Sequence, residues 1–333
     1  MNRLKCVALH ITEECSHGCS FCYYRSKKNG LVTGKRHFPL EQLKLVINQV
    51  ASSNAEELFL LGGDPAEHND ILEIVKYAHG AGLVITSVSN THNYKCNHEL
   101  LSQYLSICET TIHAETPEKH DEICGVVGAY NSVLLKLVEF KKYGCSIGIT
   151  INITSTNYSS LYQIVYNLVN SFGEILDYVN IQRITPMGRA EKSNTALYLT
   201  LDMIISALEG IDKIHKELGI EIQCEDAIPL CLVPKQYQKY INRCEWGYSR
   251  LSLNGDGGVS RCGADPRYNL GNIFDTSLQD IWIGSPILKR FRERDFLPQS
   301  CLECPSFNAC GGGCVSGAWT GNELNKDILL HSR

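Results

Sequence analysis

Six strand-like segments alternate with six helix-like segments over the first two thirds of the chain, and this alternation constrains the fold more than any other feature. The strands are predicted at 5–12, 57–61, 83–89, 108–113, 146–153 and 176–184, and the helices at 39–51, 69–80, 97–106, 129–143, 158–171 and 200–217. Strict alternation of this kind indicates a parallel sheet covered by helices. Six units are too few for a closed eight-unit barrel, so we predict an α/β fold with a partial, TIM-like (β/α)6 barrel. Its active site is expected at the carboxyl ends of the strands.

The composition of the chain changes after about residue 222. The segment 244–314 is rich in glycine, proline and cysteine, and Asn254-Gly255-Asp256-Gly257 is typical of a hairpin turn. Two short strands are predicted on either side of this turn, at 248–253 and 258–262. Such a segment has little regular core, and its cysteines are the expected source of its stability. We therefore predict two domains, a barrel over 1–222 and a small domain with a β-hairpin and short helices over 223–333.

Composition and charge exclude several classes of protein. Hydrophobic residues make up 44% of the chain and charged residues 20%, which predicts a folded globular protein. The net charge of −5 argues against a nucleic-acid partner, and no segment reaches the roughly 18 apolar residues that a membrane span needs. Glu13 and Glu14 interrupt the short apolar run near the N-terminus, so this run does not resemble a secretory signal. We therefore expect a cytoplasmic protein with neither a membrane nor a nucleic-acid partner.

The chain has sixteen cysteines, which is many for a cytoplasmic protein. Disulfides are rare in that compartment, so this cysteine usage indicates metal binding. Five cysteines are scattered through strand-like and helix-like segments and are interpreted as small buried apolar residues: Cys6, Cys96, Cys108, Cys124 and Cys145. That interpretation does not explain the cysteines that lie in clusters.

The densest cluster is the loop Cys15-Ser16-His17-Gly18-Cys19-Ser20-Phe21-Cys22, directly after the first predicted strand. Three thiols so close together suit either a soft metal centre or a disulfide clamp. An iron–sulfur cube held by only three cysteines leaves one iron open to a small molecule. The other interpretations are a zinc site with a fourth ligand elsewhere and a redox-active thiol cluster.

The spacing C-x3-C-x2-C, with the aromatic Phe21 before the last cysteine, resembles the signature of the radical SAM superfamily. The resemblance implies a [4Fe–4S] cluster on Cys15, Cys19 and Cys22, whose open iron binds S-adenosylmethionine (SAM). It also implies that an electron from a flavodoxin- or ferredoxin-type donor cleaves SAM. The product is a 5′-deoxyadenosyl radical, which abstracts a hydrogen atom from the substrate.

Further motifs extend the resemblance across the barrel. Gly62-Gly63-Asp64-Pro65, after the second predicted strand, is similar to the Gly-Gly-Glu-Pro motif of the family, whose backbone meets the SAM amino group. The family pattern implies more SAM contacts near the ends of later strands, at Asn90, Thr111, Asn152 and Arg189. A tight turn at the glycines, ordinary loop hydrogen bonds and a surface salt bridge of Arg189 are the alternative interpretations.

One position departs from the family pattern. His120-Asp121-Glu122-Ile123-Cys124-Gly125 resembles a His-Asp-x-Ile-Arg-Gly stretch of the subfamily with auxiliary clusters. Cys124 replaces the arginine, a candidate partner of the SAM carboxylate, and so removes a bidentate donor. We expect either Arg183 or Arg189, which lies in Pro186-Met187-Gly188-Arg189-Ala190, to supply the charge, or SAM to be held differently.

The C-terminal cysteines resemble the SPASM extension of radical SAM enzymes. Six of its seven signature cysteines are present at the family spacing: Cys244, Cys262, Cys301, Cys304, Cys310 and Cys314. The resemblance implies one or two auxiliary [4Fe–4S] clusters. The first would be held by Cys244, Cys262 and Cys314 together with an upstream cysteine, for which Cys231 is preferred to Cys224.

The second auxiliary cluster would be held by Cys301, Cys304 and Cys310, and the final cysteine of the pattern is missing from this chain. Asp327 or His331 is a candidate for the missing ligand. Alternatively, one iron is open, or the second cluster is lost. A structural zinc knuckle is the remaining interpretation of these cysteines.

The leading hypothesis for function is oxidative modification of a ribosomally synthesised peptide, by crosslinking or side-chain oxidation, because SPASM proteins often carry out such reactions. The rival is decarboxylation or dehydrogenation of a small molecule, such as a tetrapyrrole side chain, a sugar or a nucleoside. A non-enzymatic iron–sulfur or zinc scaffold is the third hypothesis. Because the first strand begins at residue 5, peptide capture is expected to use the barrel mouth, the C-terminal extension or a separate peptide-recognition protein. Glu115, His113 and Asp265 lie near predicted strand ends or a cysteine, and none is assigned as a general base.

Overall fold

The computed structural model describes residues 3–24, 36–184, 187–192, 197–316, 327 and 329. Its strands are β1 (Cys6–His10), β2 (Glu57–Leu61), β3 (Val84–Val88), β4 (Ile107–Thr111), β5 (Ser146–Ile153), β6 (Tyr178–Arg183), β7 (Ile222–Cys224), β8 (Arg250–Asn254), β9 (Gly258–Cys262) and β10 (Asp265–Asn272). These strands form one sheet in the order β10-β9-β8-β1-β2-β3-β4-β5-β6-β7.

Strands β1 to β7 lie side by side in chain order, and each neighbouring pair is parallel. Val7 and Leu9 in β1, like Ile149 and Ile151 in β5, are fully buried, as expected for parallel strands covered by helices. The six predicted strands are present, and the predicted α/β class with a partial barrel is confirmed. Strand β7 was not predicted, because three residues are too few to show a periodicity.

The helices are α1 (Leu40–Ser52), α2 (Ile71–Gly80), α3 (His98–Ser102), α4 (Pro117–Cys124), α5 (Ala129–Lys142), α6 (Leu161–Phe172), α7 (Arg189–Lys192), α8 (Leu201–Leu218), α9 (Leu278–Gly284), α10 (Pro286–Glu293), α11 (Gln299–Leu302) and α12 (Phe307–Cys310). The long helices bury one apolar stripe each, which in α8 includes Ile204, Leu208 and Ile211. Thr200 starts α8 by accepting a hydrogen bond from the Met203 N–H.

Helix α4 is an addition to the six predicted helices. Thr116 accepts a hydrogen bond from the Lys119 N–H and Pro117 occupies the first turn, which are both good helix-start features. The helix is rich in charged residues, so it lacks the apolar stripe on which the prediction depended. Its buried side chains are His120 and Cys124, and Cys124 lies against the cysteine loop.

The C-terminal strands extend the barrel sheet. Strand β8 pairs with β1 in parallel over five residue pairs, from Cys6 with Arg250 to His10 with Asn254. Strand β9 returns antiparallel to β8, which confirms the predicted hairpin, and β10 pairs antiparallel with β9. Register shifts interrupt β10, which explains why its sequence does not alternate as a regular strand does. The domain boundary at 222/223 remains a prediction.

No helix in the described ranges is long and apolar enough to cross a membrane by itself. The pair α4 and α5, bent by 102° at their junction, meets the length and composition criteria only when the two are taken together.

Candidate active site

The cysteine loop follows β1, and three hydrogen bonds hold its backbone to the end of α4 and to Arg189. The Gly18 N–H donates to the carbonyl of Cys124 at the end of α4 (2.7 Å). The backbone N–H of Arg189 donates to the Cys22 carbonyl (2.9 Å), and its guanidinium donates to the Cys19 carbonyl (3.0 Å). These contacts fix the path of the loop, and the side chains of all three loop cysteines stay half-buried.

Arg189, predicted as a SAM contact, therefore lies directly on the loop. The preceding Gly188 has φ of 63°, and a Cβ at this position would overlap the carbonyl oxygens of Cys22 and Tyr23. Only glycine allows the chain before α7 to approach the loop this closely. Pro186, from the same sequence element, lies outside the described residues.

The glycine pair after β2 packs against the other side of the loop. The Gly63 N–H donates to the Thr12 carbonyl (2.7 Å), and the Asp64 N–H donates to the Glu14 carbonyl (2.6 Å). A Cβ at Gly62 or at Gly63 would overlap those same carbonyl oxygens. The two glycines are thus required by the close approach of the end of β2 to the segment that leads into Cys15.

Asp64 joins the ends of β2 and β3. Its carboxylate is 3% exposed and accepts hydrogen bonds from the Ala66 N–H (2.8 Å), the Ser89 hydroxyl (2.6 Å) and the Asn90 N–H (2.6 Å). Burial raises the pKa of Asp64 to about 6, although these hydrogen bonds act in the opposite direction. Pro65 follows as the first residue of a short turn, Pro65–Glu67. Asp64, which is shorter than the glutamate of the family motif, thus accepts a hydrogen bond from each of these three donors.

Asn90 is brought to the first cysteine of the loop. Its side-chain amide donates to the Cys15 sulfur (3.5 Å), while Asp64 holds its backbone. Thr111 ends β4, and Asn152 lies near the end of β5, where its carbonyl accepts from Asn157 (3.0 Å). Both side chains are half-buried. The structure thus groups Asn90 with the loop and leaves Thr111 and Asn152 at neighbouring strand ends.

A buried carboxyl on β4 was missed by the sequence analysis. Glu109 is 5% exposed and accepts hydrogen bonds from the Thr150 hydroxyl (2.7 Å) and the Tyr178 hydroxyl (2.9 Å). Burial, reinforced by the nearby Glu225, raises its pKa. Glu109 lies two residues before Thr111 and so on the same face of β4. The available signal was an acid in the middle of a buried strand, where acids are rare.

Cys124, which replaces the family arginine, lies against the middle of the loop. Ligand atoms of His17, Cys19 and Cys124 all lie within 4.8 Å of one another. A hydrogen bond with Cys124 and then burial raise the pKa of Cys19 well above its usual value, so metal binding by Cys19 must release a proton. These three donors are also the group that a zinc site would use.

Of the two arginines considered as SAM carboxylate partners, Arg183 has another role. It is 8% exposed, forms an ion pair with Asp327 and donates to the Ala227 carbonyl (3.1 Å). Breaking such a buried pair would leave an uncompensated charge, so Arg183 is held away from the loop. Arg189 remains the arginine beside the cysteines.

Three C-terminal cysteines surround a buried cation. Cys244, Cys262 and Cys314 are each less than 9% exposed, and all three act on the pKa of Arg261, which is 1% exposed. Its guanidinium lies 3.9 Å from the Cys244 sulfur. Burial opposes the charge of Arg261, but the neighbouring thiols raise its pKa. We call these three cysteines the first auxiliary group.

Asp327 lies beside the first auxiliary group. Its carboxylate accepts the Cys314 N–H (2.8 Å) and pairs with Arg183. Asp327 was one candidate ligand beside Cys301, Cys304 and Cys310, and its position next to Cys314 does not favour that role. The other candidate, His331, lies outside the described residues.

The remaining C-terminal cysteines share a cavity of about 530 Å³. We call Cys301, Cys304 and Cys310 the second auxiliary group; they are half-buried, and the exposed Cys231 lines the same cavity. The sequence predicted Cys231 as a ligand of the first auxiliary group, and the structure places it at the cavity of the second. Sequence order alone could not reveal this position, because the turn Leu230–Leu232 folds back onto α12.

The first auxiliary group lies close to the barrel mouth. The Tyr23 hydroxyl is within electrostatic range of both Cys22 and Cys262. The backbone of Gly263 packs on the His10 ring so closely that a Cβ there would lie 3.0 Å from the imidazole Nε2. His10 in turn stacks on Tyr24, with ring centroids 4.6 Å apart.

The donor chemistry fits iron–sulfur clusters. Iron–sulfur clusters are bound by thiolates. The structure offers thiols at three places: three in the loop, three in the buried first auxiliary group, and four around the cavity. When bound, the loop cluster would supply the electron that cleaves SAM. The residues of this chain orient the loop, hold its carbonyls and close its two sides.

Comparison with known families agrees with this donor chemistry. The family model of the radical SAM superfamily matches residues 9–177, and that of the SPASM iron–sulfur cluster-binding domain matches residues 244–305. The chain is 24% identical to "PqqA peptide cyclase" of Rhizobium meliloti (strain 1021), covering 91% of this chain and 80% of the relative. It is 22% identical to "AdoMet-dependent heme synthase" of Methanosarcina barkeri (strain Fusaro / DSM 804), covering 98% of this chain and 96% of the relative.

Solved structures share the fold. Streptococcus suis SuiB bound to S-adenosylmethionine superposes with a TM-score of 0.78 at 16% identity, over 98% of this chain and 77% of that chain. Native anSMEcpe with bound AdoMet and Kp18Cys peptide gives 0.74 at 15% identity, over 99% and 94%. The protein is accordingly an enzyme with a SAM-binding [4Fe–4S] cluster, SAM and auxiliary iron–sulfur clusters as its cofactors. This chain belongs to the radical SAM superfamily and carries a C-terminal SPASM domain.

Proposed function

We propose that this enzyme reductively cleaves SAM and uses the 5′-deoxyadenosyl radical to modify a ribosomally synthesised peptide oxidatively, by crosslinking or by oxidation of a side chain. The observation that carries the proposal is the similarity to a PqqA peptide cyclase over 91% of this chain. SuiB, which shares the fold, has been crystallised with its precursor peptide SuiA, and this supports a peptide substrate.

The proposal gives each part of the site a role. Cys15, Cys19 and Cys22 hold the SAM-binding cluster. The glycine pair, Asn90 and Arg189 shape the SAM site around it, and Thr111 and Asn152 contact SAM from the ends of β4 and β5. A flavodoxin- or ferredoxin-type protein supplies the electron, and a separate protein assists peptide recognition. Net oxidation of the peptide releases an electron, for which the auxiliary groups hold suitable acceptors.

A second candidate is a small-molecule substrate, above all a tetrapyrrole side chain. It is favoured by the similarity to an AdoMet-dependent heme synthase, which extends over 98% of this chain and 96% of the relative. The two candidates share SAM cleavage and differ only in the molecule that loses a hydrogen atom.

The first test is release of 5′-deoxyadenosine by the anaerobically reconstituted, reduced protein. We expect release from the wild type and none from a Cys15→Ala/Cys19→Ala/Cys22→Ala variant; a wild type without release would contradict both candidates. The second test supplies short peptides encoded beside the gene and, separately, haem precursors. A peptide that loses two hydrogen atoms in mass spectrometry supports the proposal, and turnover of the tetrapyrrole alone overturns it in favour of the second candidate.

A further inference from the structure

We propose that Cys231 is the fourth thiolate ligand of the second auxiliary cluster, completing the set formed by Cys301, Cys304 and Cys310. The proposal does not depend on which substrate the enzyme modifies. It assigns four cysteines to the second auxiliary site.

The first observation is the shared cavity. Cys231 and the three cysteines of the second auxiliary group line one space of about 530 Å³, within the range of roughly 300–1,000 Å³ that holds small ligands and cofactors. Cys231 is exposed and the other three are half-buried, so the site opens on one side to solvent. Four thiols around one cavity match the ligand number of a [4Fe–4S] cluster.

The second observation is a hydrogen bond that ties the two halves of the site together. The Leu230 N–H donates to the Cys310 sulfur at 3.3 Å. Leu230, the residue before Cys231, is therefore hydrogen-bonded to a cysteine of the second auxiliary group. N–H donors to cluster sulfurs are a usual feature of iron–sulfur sites, where they tune the reduction potential.

The third observation separates the two auxiliary groups. Three glycines with positive φ, Gly311, Gly312 and Gly313, connect Cys310 to Cys314. This left-handed turn directs Cys310 to the cavity and Cys314 to the buried side, where the Cys314 N–H bonds to Asp327. Arg261 marks the first auxiliary group, and its thiol neighbours are Cys244, Cys262 and Cys314.

The packing of the chain explains how a cysteine that precedes Cys244 can reach the second auxiliary group. The turn Leu230–Leu232 follows Pro229, whose ring would contact a Cβ added at Gly313. The segment before the SPASM cysteines thus packs on the segment that joins their last two members. A ligand supplied from residue 231 therefore lies next to the cavity that Cys301, Cys304 and Cys310 line.

The test isolates each auxiliary group in the full-length chain. One background carries Cys15→Ala/Cys19→Ala/Cys22→Ala with Cys244→Ala and Cys262→Ala, and keeps only the second group. The other carries the same loop changes with Cys301→Ala and Cys304→Ala, and keeps only the first. Cys231→Ser and its control Cys224→Ser, the other upstream cysteine, are added to each background. Iron, sulfide and zinc per chain and the Mössbauer spectrum are measured after anaerobic reconstitution.

In the background that keeps only the second auxiliary group, we expect Cys231→Ser to lower the iron content from about four per chain to three or fewer. Cys224→Ser should not change the iron content of that background. In the background that keeps only the first auxiliary group, Cys231→Ser should have no effect. The proposal is overturned if Cys231→Ser lowers the iron content only where the first auxiliary group is kept, or in neither background. Zinc in place of iron where only the second auxiliary group is kept overturns it as well.

A measurement on the wild type covers the case in which these variants do not fold. Cys231 is exposed, so iodoacetamide alkylates it in the iron-free protein. After reconstitution, peptide mass spectrometry should show alkylation of Cys231 slowed at least about tenfold, in step with Cys301 and Cys304. Unchanged alkylation of Cys231 in protein that has full auxiliary iron would refute its role as a ligand. SAM cleavage is not a readout in either experiment, so a failure of the proposed function is seen separately.

Discussion

The two cysteine-bearing regions of this molecule are built in different ways. The barrel loop is fixed by backbone hydrogen bonds from elements that the apolar core already holds, such as those from Gly18, Gly63 and Arg189. The C-terminal region 244–316 has short helices, three consecutive left-handed glycines and a buried cation among its thiols. We infer that the cluster site of the barrel is folded before its cluster binds, whereas the C-terminal region depends on its clusters for stability.

Removing iron should separate the two regions most strongly. In iron-free protein we expect amide exchange in α12 and the cavity segments to accelerate at least about tenfold, which corresponds to about 1.4 kcal/mol, while α8 and β5 stay protected. Hydrogen–deuterium exchange with peptide resolution measures both. Equal protection of α12 with and without iron would show that the C-terminal region is as preformed as the barrel.

Gly63→Ala tests the preformed side of the comparison. The added Cβ overlaps the Glu14 carbonyl, so the strand end and the loop must separate. We expect a loss of about 2 kcal/mol or more in unfolding free energy and at least about tenfold weaker SAM binding. Urea unfolding and calorimetry measure these. Gly80→Ala is the control, because its Cβ meets nothing within 4 Å and alanine suits a helix, so stability should be unchanged or rise by up to about 1 kcal/mol.

Asp64→Asn probes the link between the ends of β2 and β3. The new amide has one acceptor oxygen instead of two, so it cannot accept from Ala66 and Ser89 on one side and from the Asn90 N–H on the other. We expect a loss of about 1–3 kcal/mol in unfolding free energy. Ser89→Ala, which removes one donor to Asp64 and also the acceptor of the Thr91 N–H, should cost a similar amount. An Asp64→Asn variant as stable as the wild type would contradict this role.

The same residue gives a pH dependence of known sign. The pKa of Asp64 is raised by burial from 3.8 to about 6, so the folded state binds its proton more tightly than the unfolded state. Its contribution to stability is therefore full below about pH 4 and declines as the pH rises through about 6. Denaturant unfolding of the wild type and of Asp64→Asn across this range should show the decline in the wild type only.

Arg261→Gln examines the cation on the C-terminal side and should have the smallest effect. Removing a positive charge beside the first auxiliary group makes reduction of a cluster there less favourable. We expect its potential to become more negative by about 60 mV, a tenfold change for one electron. A redox titration followed by electron paramagnetic resonance measures this. Arg292→Gln, a half-buried arginine that contacts Trp282, should leave the potential unchanged.

The sequence predicts the barrel well because its signals are local. Most of the six strands are short runs of apolar or β-branched residues, and glycines such as Gly219 end the intervening helices in the left-handed conformation. The cysteine spacing likewise lies within eight residues, 15–22. By contrast, strand β10 is interrupted by register shifts, and β7 is too short to produce a pattern.

The partners of the site residues could not be predicted in the same way. That Asn90 reaches Cys15, or that Glu109 is shared by Thr150 and Tyr178, depends on strand register and side-chain direction. The grouping of Cys231 shows the limit most clearly. Its position before Cys244 suggests the first auxiliary group, whereas its turn packs on Cys310 and Cys231 lines the cavity of the second.

The pairing of β8 with β1 has a consequence for electron transfer. Five residue pairs join the strand that leads into the cysteine loop to the strand that leads into the hairpin with Cys262. Neighbouring strands are held about 4.8 Å apart, so the loop and the hairpin cannot separate unless the sheet itself is broken. The distance over which an electron would travel between these two sites is thus a fixed property of the sheet, insensitive to the domain motions that regulate many multi-centre redox enzymes.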